Sequence, residues 1–194
     1  MIPRHVQIAV ILLLAGIFAG GFYGLRLKRR AQQAARQAEA RPVAPSVSGA
    51  PQQVQLWIAY DDDGVFRPTQ AKVELPQEPS DRAAGILRAL IGEYLKQPSP
   101  HPLPPGSDVR TVYLVNGLAV VDLTPAFADG HRSGALLEEF TVTSMIATLS
   151  ANMPEIKQVK FLVDGKERET LAGHADLLSV YDVKTVDQFV QGLQ

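Results

Sequence analysis

From Val6 to Leu25 the chain reads VQIAVILLLAGIFAGGFYGL, a run whose only ordinary polar side chains are Gln7 and Tyr23. About 20 apolar residues in a helix reach across a hydrocarbon core of roughly 30 Å. A cleaved signal peptide is the competing reading. It calls for a shorter apolar region followed closely by a small-x-small site. Ile17 and Phe18 spoil the positions around Ala19, and Ala38-Glu39-Ala40 lies too far downstream, beyond a cluster of charges. The run therefore predicts an uncleaved anchor over residues 6–27, preceded by a short tail at 1–5.

The anchor also splits the charge. Residues 1–41 hold seven Lys or Arg and one acid, a net of +6, and residues 42–194 hold twelve Lys or Arg and nineteen acids, a net of −7. The acidic part lacks a basic stretch interleaved with aromatics, so nucleic acid is excluded as an expected partner. The chain has no cysteine, which rules out disulfides, thiolate metal sites and a lipid-modified cysteine. Arg26, Lys28, Arg29 and Arg30 follow the apolar run while only Arg4 precedes it. On the positive-inside rule that distribution favours a cytoplasmic C-terminal part.

Residues 28–53 divide into a basic Ala/Gln/Arg segment and a Pro/Ser/Ala linker with too few apolar groups to pack. Order is predicted from Val54, in a domain spanning 54–182. Val54–Tyr60 reads as a buried strand, Asp61–Gly64 as a turn and Thr69–Leu75 as a second strand. Ser80 is placed to cap a helix over 81–96, whose core face is Ala84, Leu87, Leu90, Ile91, Tyr94 and Leu95. A proline-dense loop follows at 98–106. A second helix is predicted from Ser133 or Gly134 to about Ala151, then a strand at Val159–Val163 and a short return strand at Glu169–Leu171. The tail, 183–194, has a weak amphipathic pattern through Val186, Phe189, Val190 and Leu193.

The clearest local signal is Asn116-Gly117 between two β-rich runs, the pair suited to a type I′ hairpin. That turn pairs Val115 with Leu118, Tyr113 with Val120 and Thr111 with Asp122. One face, with Val112, Leu114, Ala119, Val121 and Leu123, is wholly apolar and is expected to meet the helices. The other, with Tyr113, Val115, Leu118 and Val120, is mixed and free to serve as an interaction face. Elements in the order β, β, α, β, β, α, β, β predict an α+β fold: a mixed or antiparallel sheet with two helices on one face, preceded by the transmembrane helix.

Candidate chemistry is sparse. Asp61-Asp62-Asp63-Gly64 offers clustered oxygens, but its spacing does not match a calcium loop and a solvated turn accounts for it. Gly173-His174-Ala175-Asp176 combines close backbone approach with an imidazole and a carboxylate, so His174 and Asp176 are candidate ligand contacts, with Asp122 as a third. The bland alternative is a turn in which Asp176 holds backbone amides. Ser133, Ser144 and Ser150 lie in no nucleophile elbow, and His5, His101, His131 and His174 form no metal-binding pair. No enzyme, metal or cofactor is expected. A hydrolase built from Asp122, His174 and Asp176 would require a pocket uniting the three.

Taken in order, several segments resemble the GerM (GerMN) domain family of sporulation and spore germination. They are Val54–Tyr60, Leu90-Ile91-Gly92, the hairpin Val112–Leu123 leading to Phe127, Thr148-Leu149-Ser150, Val163-Asp164-Gly165 and Thr170–Leu177. Two departures stand out. The family's short Gly-Pro turn after the first helix is replaced by the proline loop 97–106, and the lipoprotein cysteine is replaced by the membrane span. The resemblance implies a fold like the ring-building motifs of secretion machines. It further implies a domain outside, which together with the predicted anchor makes a single-pass protein of the inner (cytoplasmic) membrane, contrary to the flanking charges. The implied role is non-enzymatic, structural or interacting, in the cell envelope, with an envelope protein or a second copy as partner. The alternative is a module for a cell-wall glycan or peptide centred on Gly173–Asp176.

Overall fold

Val54, Leu56 and Ile58 alternate with Gln55 and Trp57, and this period of two becomes a strand with its even-numbered residues in the core. The computed structural model describes residues 51–193, so the predicted anchor and the basic segment lie outside the described residues. Among those described, no helix is long and apolar enough to cross a membrane. Strand β1 (Pro51–Tyr60) starts earlier than predicted, because Pro51–Gln53 find partners in Lys72–Glu74 of β2 (Val65–Glu74). Proline at the first position of a strand is well tolerated. Gly64, at φ +68, closes the hairpin, and its N–H donates to the Tyr60 carbonyl.

Helix α1 (Pro79–Leu95) is capped by Glu78, whose Oε2 accepts from Asp81 N at 2.7 Å, rather than by Ser80. Pro79 takes the first turn, where its missing N–H costs nothing. Ala84, Leu87, Leu90, Ile91 and Tyr94 are buried as the helical spacing predicts, while Leu95 stays exposed. Strands β3 (Val109–Val115) and β4 (Leu118–Leu123) form the expected hairpin in the expected register, with Asn116 and Gly117 at φ 49 and 82. One turn of helix that the spacing did not announce, α2 (Pro125–Asp129), follows.

Helix α3 (Ala135–Asn152) is buried over most of its circumference between Glu138 and Leu149, and packs on β1, α1 and α4 (Val183–Gln191). Strand β5 (Gln158–Val163) then lies parallel to β4, and β6 (Tyr181–Asp182) antiparallel to β5. The parallel pairing requires a crossover, which α2 and α3 provide. Among the described residues the fold is thus α+β with four helices and two sheets, β1-β2 and β3-β4-β5-β6, rather than one sheet with two helices.

The predicted return strand at Glu169–Leu171 is replaced by isolated bridges, Thr170 with Asp176 and Val163 with Lys166. That segment is diverted to wrap a buried carboxylate, and the return pairing falls to β6 instead. The hairpin β1-β2 remains separate because α3 occupies its inner edge. Asn152 Oδ1 accepts from Gln55 N at 2.9 Å and Thr148 Oγ1 from Trp57 N at 2.9 Å, while Ser144 Oγ donates to Trp57 O at 2.6 Å. Tyr94 OH completes the row by accepting from Ala59 N at 2.9 Å. Residues 144, 148 and 152 share one helical face, so side chains do for β1 what a neighbouring strand would.

Candidate functional site

The hairpin β3-β4 presents two faces of opposite character. Val112, Ala119, Val121 and Leu123 are buried against the core. On the outer face Tyr113 is 54% exposed and Val115 57%, with Leu118 and Val120 half-buried beside them. Cross-strand register places Tyr113 against Val120 and Val115 against Leu118, so the four form one patch. Next to Val120 on β5 is Lys160, whose Nζ donates to Leu177 O at 3.0 Å and to Leu178 O. That ammonium fixes a loop carrying two more exposed apolar side chains, Leu178 and Val180.

Asp122 ends the same face but is closed off. Its Oδ1 accepts from Gly165 N at 2.7 Å and its Oδ2 lies 3.5 Å from Arg110 Nε. It thereby pins the left-handed pair Asp164-Gly165, at φ 53 and 70, while Arg110 also pairs with Asp164.

Gly173–Asp176 is organised by a residue that sequence reasoning passed over. Glu138, fully buried on the first turn of α3, accepts through Oε2 from Ala172 N, His174 N and Ala175 N at 2.9, 2.9 and 3.0 Å. Its Oε1 accepts from Gly134 N at 3.1 Å and lies 2.9 Å from His174 Nδ1. Burial alone would raise the pKa of this carboxyl. The hydrogen bonds from His174, Ala172 and Gly134 outweigh burial and bring it down to about 2. Asp176 turns the other way, accepting from the Ser179 hydroxyl and from Leu178 N, and those bonds lower its pKa. Asp122, His174 and Asp176 each have their own partners and are not brought together in one pocket.

A second buried network lies between α3, the proline loop and the Asp61 turn. Asp61 Oδ1 sits 2.5 Å from His101 Nδ1, and His101 Nε2 sits 2.6 Å from Thr141 Oγ1. This is the acid–imidazole–hydroxyl order of a nucleophile relay, but it is closed. Thr141 is 1% exposed, and its hydroxyl is shared with His131 Nε2 at 2.7 Å and with Leu137 O at 3.1 Å. Burial lowers the pKa of His131 and thus favours its neutral form. No substrate atom can reach that hydroxyl without unpacking α3. Tyr94 and Ser144, 2.5 Å apart, are likewise buried, and burial raises the Tyr94 pKa. The sequence signal for both networks was present: Thr141, Ser144, Thr148 and Asn152 recur at three- and four-residue steps within an otherwise apolar helix.

No curated protein matches the chain. Several solved structures are similar to it, three of them as follows. A candidate lipoprotein from Clostridium perfringens shares 19% identity over 76% of this chain and 97% of that one, at TM-score 0.49. The tandem GerMN domains of the sporulation protein GerM from Bacillus subtilis share 23% over 67% and 45%, at 0.46. The first GerMN domain alone shares 22% over 66% and 94%, at 0.45. The sequence profile of the family described as sporulation and spore germination matches residues 55–169, more than half of the chain. The chain belongs to the sporulation and spore germination family.

Proposed function

We propose that this protein is a membrane-tethered, extracytoplasmic interaction module of the bacterial envelope that works by docking and not by catalysis. The observation that carries the reading is the patch Tyr113, Val115, Leu118 and Val120, apolar and open on a strand pair whose other face is anchored in the core. Exposed apolar clusters on a rigid support are what protein partners select. The buried relays, by contrast, present no accessible nucleophile. Family membership and the apolar run at 6–25 support an envelope position.

A photo-crosslinking residue at position 115 is expected to trap one discrete partner, or a second copy, in intact cells. Tyr113→Glu combined with Val120→Lys should abolish that adduct while the thermal midpoint stays within a few degrees. Undiminished crosslinking in a folded double variant would remove the patch from consideration.

A further inference from the structure

Trp57 is the only tryptophan of the chain; it alternates in β1 with the buried Leu56 and Ile58, is half-buried like Gln55, and packs against the margin of the core. Trp57 and Gln55 line an open cavity of about 220 Å³ completed by Ser150 and Ala151 of α3 and by Asp187, Val190 and Gln191 of α4. A larger hollow of about 670 Å³ shares Asp187 and Gln191 and runs on to Lys157, Asp182 and Lys184. The two hollows adjoin along α4, meeting at Asp187 and Gln191, and differ chemically. None of their residues belongs to the docking patch.

At the first end an indole and Val190 stand beside side chains that both donate and accept, Gln55, Gln191 and Ser150. Ser150 Oγ donates to Asp187 Oδ1 at 2.9 Å, which orients that carboxylate. No cation lines this end, so a phosphate or free carboxylate finds no counter-charge there. A pyranose ring does fit the chemistry: its C–H face suits an indole, and its hydroxyls suit amide and carboxylate groups. At the other end the exposed Lys184 and Lys157 carry ammonium groups, that of Lys157 donating also to Pro154 O at 2.5 Å. Asp182 offsets them in part, although its Oδ1 is committed to Thr185 N at 3.0 Å. We propose that the adjoining hollows along α4 bind a short acidic saccharide, with one ring at Trp57 and a carboxylate at Lys157 and Lys184.

Because Trp57 is the sole indole, its emission reports the hollow it lines directly. The full chain, in micelles whose headgroups carry no sugar, is titrated with digalacturonate and with neutral cellobiose. Digalacturonate is expected to give a saturable emission change with a Kd of about 1 mM or tighter. Lys184→Gln should weaken digalacturonate about tenfold and leave cellobiose unaffected. Gln191→Ala, at an exposed position of α4, should weaken both without loss of folded signal. Absence of a saturable response to either sugar up to about 50 mM overturns the site. So does a response that Gln191→Ala and Asp187→Asn together leave intact. Equal binding of the two sugars, insensitive to Lys184→Gln, overturns the acidic ligand.

Discussion

Glu138 shows how one side chain organises a stretch of chain that has no regular structure. It gathers the Ala172, His174 and Ala175 amides from a loop more than thirty residues away. Removing it orphans these donors, and each buried amide left unpaired costs about 1–3 kcal/mol. Glu138→Ala is therefore expected to destabilise the domain by about 3 kcal/mol or more, measured by urea unfolding. The pH dependence follows the depressed pKa. Stability from the ionised carboxylate is fully present above the ordinary value of 4.5 and is lost as pH falls through about 2. Glu138→Gln should flatten that acid limb, which thermal melts between pH 5 and 2 will show. Sequence reading picked out His174 and Asp176 because imidazole and carboxylate near glycine suggest chemistry. It missed Glu138 because a glutamate in the first turn of a helix looks solvated, and only the tertiary fold brings the loop to it.

At the scale of elements, local rules were legible and lateral ones were not. Asn116-Gly117 dictated the hairpin, its register and which face is buried, because turn geometry and side-chain alternation act within a few residues. Gly117→Ala should cost about 1–2 kcal/mol, since φ is 82 and a new Cβ would sit 3.3 Å from Glu155 O. The separation of β1-β2 from the main sheet was not legible, because it depends on α3 offering hydroxyls and an amide to the edge of β1. Thr148→Val keeps the shape but leaves Trp57 N unpaired, and is expected to cost about 1–3 kcal/mol. The displaced return strand has the same origin: a pattern of alternating residues cannot show that a distant carboxylate claims the backbone.

For the whole molecule, the proposed tether raises the question of which side of a membrane the domain occupies. The flanking charges and the envelope role proposed above point in opposite directions. Alkaline phosphatase fused after Gln194 is expected to be active, and a fluorescent protein that matures only in the cytoplasm is expected to stay dark at the same position. The reverse pattern would uphold the charge rule and withdraw both the envelope role and the search for partners there.

The row of side chains from α3 along β1 also sets how this domain opens. Amides protected by a neighbouring strand are released when strands part, but those of Gln55, Trp57 and Ala59 are held by Asn152, Thr148 and Tyr94. Their exchange with deuterium must wait until the helices lift away. The hairpin and the central helix therefore share one opening free energy and behave as one cooperative unit, despite lying nearly a hundred residues apart in the chain.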